Sequence, residues 1–322
     1  MRGPEPVGMA WAAKLKAAKV YAYPFPHLVI DDFLPDDLLT LAVKGFPDLG
    51  LIGALASRSI DVKANSRVSL DLATVQKSGD ARLEDLKTFY QALGVEALVS
   101  AMLAKLRPFL DHPLDGEAEG LPYLPRMCEG DLHNWLEGRP SLSFDIQPGI
   151  NPSQYAGLEP HLDDKYEIFA GLLYVYPDES APVGGDLVLY TRCPEAVLDG
   201  AQPKGTFEGT PVKRIAYKSN RFVVLLNGKS AWHGVTPYLE SDNRLPRRLY
   251  NIILESYNLN YRCYSYRDVH IGTPFASLKH AVKGGALLAL HKLHKLLLPS
   301  IVARKLKDYT PGEVMDRWEF WA

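Results

Sequence analysis

The chain has 322 residues, a net charge of −2, 47% apolar and 23% charged residues. That balance is ordinary for a globular protein with a sizeable core; it gives no global reason to expect nucleic acid as a partner, and no stretch approaches the roughly eighteen uninterrupted apolar residues of a membrane span. The opening Met1-Arg2-Gly3-Pro4-Glu5-Pro6 lacks the apolar run of a signal peptide, and Cys128, Cys193 and Cys263 are odd in number with no Cys-x-x-Cys pair, so a cytoplasmic, reducing location is expected.

Taken in order, residues 9–20 read as a short helix. Leu28-Val29-Ile30 has strand character, and Asp32 with Pro35 signals a helix through Asp36-Asp37-Leu38-Leu39. His27 stands just before that strand with no acidic partner two positions on, which favours a structural role. Between residues 80 and 110, Leu83, Leu86, Phe89, Tyr90, Leu93, Leu98, Met102 and Leu106 recur mostly at helical steps. Pro108, Pro113 and a Gly/Pro-rich run to Pro125 end that pattern. The expected organisation is an N-terminal strand and helices over 1–135, a β core over 136–262 and a helical tail over 263–322.

From residue 140 the period shortens to two. Ser141 to Gln147 alternates as a strand does, and Pro148-Gly149 is expected to turn it. Ile168 to Tyr176 is a nearly continuous β run, and Pro182-Val183-Gly184-Gly185 turns into Asp186 to Tyr190. Residues 192–212 read as a long surface loop. Further strands are expected at Ile215-Ala216-Tyr217, Arg221 to Leu226, Trp232 to Thr236 and Leu249 to Leu254. Such a series suggests a sandwich, jelly roll or barrel.

Within this β region stands Glu159-Pro160-His161-Leu162-Asp163. On a strand, residues two apart point to one face, so the His161 imidazole and the Asp163 carboxylate can grip one ion. By chance alone such a chain would show a tripeptide of this kind, so the reading needs a third ligand. Among the later histidines only His233 sits in β context; His270 follows the strands, and His280, His291 and His294 lie on a helical pattern among lysines. Two imidazoles and one carboxylate on one face of an octahedron leave open positions, the signature of non-haem Fe(II) sites that activate O2.

With these residues in hand, the chain resembles the Fe(II)- and 2-oxoglutarate-dependent oxygenases, in particular their prolyl-4-hydroxylase-like branch. The resemblance covers residues 24–34 and about 141–256, and four features carry it: His161-Leu162-Asp163, Gly184-Gly185-Asp186-Leu187, Trp232-His233-Gly234-Val235-Thr236-Pro237, and an arginine opening the last core strand. The resemblance implies a mostly β fold with flanking helices, a double-stranded β-helix (jelly roll, cupin-like) core. It implies a dioxygenase that uses Fe(II), 2-oxoglutarate and O2 to hydroxylate a C–H bond, with release of succinate and CO2. Asp163 stands where halogenase variants have a small residue, which favours hydroxylation. The far carboxylate of 2-oxoglutarate needs a planar two-pronged cation; Arg248, directly before the apolar run, is the first choice and Arg247 the second, while Pro246 weakens Arg244. Tyr174 matches where related enzymes place a hydroxyl on the same carboxylate.

The alternatives are a cupin-like metal protein doing non-oxidative chemistry or acting as a binding module, and a scaffold that keeps an inactive jelly roll. Residues 276–307 hold seven Lys or Arg, three His and no acidic residue around an apolar stripe, which reads as a solvated helix face or as a contact with an anionic membrane surface. The substrate itself is not legible. A small molecule, a peptidyl residue, a glycan or a lipid-linked precursor would all fit, shaped by residues such as Gln154 and Tyr155 and by the 192–212 loop.

Overall fold

The computed structural model describes residues 10–56, 67–110, 124–125, 142–151, 156–163, 167–176, 182–191, 209–239 and 245–256. Six helices and eleven strands follow one another in these segments. The first part of the chain runs α1 (Ala10–Ala17), β1 (His27–Ile30), α2 (Asp36–Lys44), α3 (Leu49–Ala56), β2 (Val68–Ser69), α4 (Leu72–Lys77), α5 (Glu84–Leu93) and α6 (Val95–Leu106). The β core then runs β3 (Leu124–Pro125), β4 (Leu142–Asn151), β5 (Leu158–His161), β6 (Glu167–Tyr174), β7 (Leu187–Thr191), β8 (Thr210–Ile215), β9 (Phe222–Leu226), β10 (His233–Val235) and β11 (Arg247–Ser256).

The strands form two sheets. The larger is ordered β1-β9-β6-β11-β4-β2, with β3 added beside β4; the smaller is β5-β10-β7-β8. From β4 onward the chain alternates between sheets, crossing back at each step except β7 to β8, which form a hairpin. The four core strands of each sheet wind as the double-stranded β-helix expected from the sequence. Such winding brings residues far apart in the chain onto facing walls.

Strand alternation sorts the side chains of the larger sheet. Phe144, Ile146 and Ile150 of β4 and Tyr250, Ile252 and Leu254 of β11 join the cluster shared with the helices. Leu249 instead joins Leu172, Tyr174, Leu187, Leu189, Val223 and Leu225 in the cluster between the sheets. The helical layer is pinned at several points: Trp11 Nε1 donates to Leu93 O at 2.9 Å, Tyr90 Oη to Ile146 O at 3.1 Å and Tyr250 Oη to Ala42 O at 2.7 Å. Each fully buried ring of this layer, such as Phe33, Phe89 or Tyr250, contributes about 1.5–3 kcal/mol by leaving water. Among the described residues, no single helix is long and apolar enough to cross a membrane.

Three local expectations change. The 80–110 helix is two helices, because Gly94 takes the left-handed conformation (φ 65°) and ends α5 before α6 begins. Pro148-Gly149 does not turn the chain: β4 runs on to Asn151, with Pro148 paired to Tyr250 and Gly149 to Leu249. The proline is tolerated because, among the described residues, β2 pairs with the outer side of β4 only at Gly149 and Ile150 and asks for no N–H from Pro148. The segment expected as loop to residue 212 is strand from Thr210, held by pairing with β7. Residues 192–208, Arg244, Gln154, Tyr155, all three cysteines and the basic tail lie outside the described residues.

Candidate metal centre and anion pocket

His161 closes β5 and His233 opens β10, and the two stand opposite each other in the antiparallel register. His233 is also paired with Leu189 of β7, whose side chain lies between the sheets. Paired residues project to the same face, so both imidazoles point inward. Their ring centroids are 4.4 Å apart. Asp163 lies two residues past the end of β5 rather than on it, which corrects the strand explanation of the His-x-Asp spacing. Its Oδ1 is 3.7 Å from His161 Nε2 and 3.6 Å from His233 Nε2.

Those separations are longer than hydrogen bonds. Each Nδ1 lies 2.9 Å from a carbonyl two residues back, His161 from Glu159 O and His233 from Ala231 O. The N–H of each ring is thereby committed to Nδ1, and the Nε2 lone pairs face Asp163. One donor atom from each of the three residues falls within 4.8 Å of the others, close to the spacing of neighbouring ligands around one ion. Burial, reinforced by His233 beside it, pushes the His161 pKa down to about 4, with Asp163 opposing. The imidazole is thus neutral and ready to ligate at ordinary pH. Two lone pairs and a carboxylate converging without a proton between them fit a divalent cation.

His27 shows the contrast. Its Nδ1 also meets a carbonyl two residues back, Phe25 O at 2.8 Å, but its Nε2 is taken by Lys213 Nζ at 2.9 Å. It is fully buried, and its role is structural.

The two candidate arginines separate cleanly, and against the first choice. Arg248 faces the helices, its guanidinium 5.5 Å from the Phe46 ring centroid. Arg247 faces the interior and is 2% exposed. Its Nε donates to Gly185 O at 3.1 Å and its Nη1 to Asn151 Oδ1 at 2.9 Å. It sits over the rings of Tyr174 and Tyr217, at 5.3 and 5.2 Å. Alternation along β11 therefore turns Arg248 away from the interior, and Arg247 is the one of the two that faces it.

Tyr174 is fully buried and its hydroxyl has no hydrogen-bond partner among the described residues. Burial raises its pKa, partly offset by the Arg247 charge. Among the described residues, a buried hydroxyl without a hydrogen-bond partner thus stands beside a buried guanidinium, a combination that suits an anion.

The Gly184-Gly185-Asp186 turn builds this pocket. Both glycines have positive φ, 79° and 70°, and a Cβ on Gly185 would meet the Arg247 Cδ at 2.9 Å. Asp186 Oδ1 accepts the Tyr217 N–H at 2.8 Å, and its backbone is bonded to Thr236 in both directions. The turn thus ties β7 to the segment that follows His233. Sequence reasoning did not find the carbonyls that orient the histidines, although they lie only two residues upstream of each ring. It also passed over Asn151, which carries no motif.

No protein-family model matches the chain. No curated protein matches it in sequence. Among solved structures, it is similar to a prolyl hydroxylase from Trichoplax adhaerens in complex with a hypoxia inducible factor peptide, at 14% identity and TM-score 0.42, over 71% of this chain and 83% of the other. A prolyl 4-hydroxylase from Phytophthora capsici is similar at 16% identity and TM-score 0.40, covering 88% and 87%. The dioxygenase for auxin oxidation 1 from Arabidopsis thaliana, in its binary complex with 2-oxoglutarate, is similar at 12% identity and TM-score 0.36, covering 77% and 88%.

Proposed function

We propose that the protein is an Fe(II)- and 2-oxoglutarate-dependent dioxygenase that hydroxylates a C–H bond of an organic substrate. The observation that carries this reading is the pairing of two features in one interior: a His161/Asp163/His233 donor set and a buried Arg247 beside a Tyr174 hydroxyl that has no partner among the described residues. A cupin that binds metal alone has no use for the second feature. The balanced reaction is R–H + 2-oxoglutarate + O2 → R–OH + succinate + CO2.

Ferrous iron, when bound, supplies the activation of dioxygen coupled to decarboxylation of the keto acid. The chain supplies position. His161, Asp163 and His233 would hold the ion, with Glu159 O and Ala231 O keeping each imidazole in the tautomer that ligates through Nε2. Arg247, aimed by Gly185 O and Asn151, would take the far carboxylate of the cosubstrate in a charge-assisted, two-pronged contact, and Tyr174 would donate its hydroxyl to the same group. The apolar wall of Leu172, Leu187, Leu189 and Leu249 excludes water around that end. The substrate would be a small molecule, a peptidyl residue or a glycan- or lipid-linked group.

The test is succinate release from 2-oxoglutarate by the full chain with Fe(II) and ascorbate, against His161→Ala. Wild-type turnover that the variant lacks supports the assignment. Equal succinate release by both proteins removes it.

A further inference from the structure

One cationic side chain beside the inner face of the larger sheet takes no part in this scheme. Arg67 precedes β2, the two-residue strand that pairs with β4 at Gly149 and Ile150. Gly149 points its missing side chain inward, in register with Leu249 of the inner cluster. The Arg67 stem fills that space: a Cβ on Gly149 would come within 2.8 Å of Arg67 Cδ and 3.4 Å of its Nε. The stem is thus laid against the inner wall of the larger sheet, opposite the wall that carries His161 and His233. Arg67 is exposed, so it lies at the mouth.

The segment around it is anchored. Ser69 Oγ donates to Gln147 Oε1 at 3.2 Å, Gln147 Nε2 to Asp145 Oδ2 at 2.6 Å, and the Leu72 N–H to Asp145 Oδ1 at 2.8 Å. The same wall continues inward as a polar strip. Ser143 and Asn251 are 0% and 5% exposed, yet Ser143 Oγ and Asn251 Oδ1 have no partner among the described residues. Asn251 stands in register with Gln147 on one side and Leu172 on the other. Buried polar atoms left unmatched in this way are costly unless a ligand or water completes them.

We infer that Arg67 binds an oxyanionic group, a carboxylate or a phosphate, on the organic substrate, holding it across the cavity from the His161/Asp163/His233 set. The inference deepens the functional reading above and rests on it for the identity of the site. The substrate class it names is a polar organic anion whose hydrogen-bonding groups reach the Ser143 and Asn251 strip. A cation at the mouth also raises the local concentration of an anionic substrate.

The test follows the Nε–Hε signals of arginine in the 15N-labelled full chain by NMR, with acetate and inorganic phosphate as separate probes. Arg67→Gln assigns the signal. The expected result is saturation of the Arg67 signal by one probe at concentrations at least tenfold below those that move any other arginine. Saturation by acetate identifies a carboxylate, and by phosphate a phosphoryl group. Gly149→Ala, which alters no charge but displaces the stem, weakens that response at least fivefold. Mn(II) with saturating 2-oxoglutarate then broadens the resonance of the bound probe in the wild type, and at least fivefold less in Arg67→Gln. An Arg67 signal that behaves like the other arginines overturns the inference whatever the metal does. Failure of Mn(II) and 2-oxoglutarate to bind overturns the functional reading, and the probe titration still decides on Arg67.

Discussion

Arg247 and Arg248 leave β11 in opposite directions: one guanidinium lies between the sheets over Tyr174, the other against Phe46 on the helical side. Their substitutions are expected to separate in the same way. Arg247→Gln weakens 2-oxoglutarate binding roughly 10- to 100-fold, the worth of a charged hydrogen-bonded contact of about 1.5–3 kcal/mol. Arg248→Gln changes it less than about threefold and acts instead on packing against Phe46. Calorimetric titration of 2-oxoglutarate into the Mn(II)-loaded protein measures both, and a larger loss in Arg248→Gln would reverse the assignment.

Tyr174→Phe removes a buried hydroxyl that has no hydrogen-bond partner among the described residues. The metal-free, ligand-free variant is expected to melt at or above the wild-type temperature, since an unmatched buried hydroxyl costs roughly 1–3 kcal/mol. The same variant is expected to bind 2-oxoglutarate about tenfold more weakly, the loss of one hydrogen bond to a charged group. Differential scanning calorimetry and titration together check the opposite signs. A variant that loses stability while keeping affinity would show that the hydroxyl is structural.

Gly185→Ala tests the turn that aims Arg247. At φ 70° an alanine carries a left-handed penalty of about 1–2 kcal/mol, and its Cβ would press on Arg247 Cδ and Tyr238 Cδ2, both at 2.9 Å. Lower thermal stability and weaker 2-oxoglutarate binding are expected together, with metal affinity nearly unchanged. Unaltered cosubstrate binding would mean that Arg247 is not aimed by this turn.

Removing one member of the donor set is expected to abolish stabilisation by metal. A divalent ion at a hundred times its Kd adds about 2.7 kcal/mol to the folded state. Thermal midpoints with Mn(II) and after chelation should therefore differ in the wild type and coincide in Asp163→Ala and His233→Ala. A metal-dependent shift that survives in both variants places the ion elsewhere.

The pH dependence of the metal-free protein has a definite sign. His161 holds its proton only below about pH 4 when folded, against an ordinary value of 6.5. The unfolded chain therefore binds more protons between those values, and stability falls as pH drops from about 6.5 to about 4. Burial lowers the His27 pKa as well, so part of the slope belongs to that residue. Urea denaturation midpoints across this range should fall less steeply in His161→Asn than in the wild type; identical slopes would show that His161 is not the group responsible.

The β class, the His161/Asp163 pair and the choice of His233 were legible in the chain alone, because a period of two and the chemistry of ligand donors are written locally. Alternation also established that Arg247 and Arg248 face opposite ways, but not which way was in. That depended on the register of β11 between β4 and β6, and on which face the helices cover; both are set by contacts between residues far apart in sequence. The same holds for Arg67, an unremarked residue before a two-residue strand, which gains its place only because Gly149 lies beside it in the folded sheet. Sequence patterns specify what each strand can present. Only the pairing of distant strands decides what meets across the cavity.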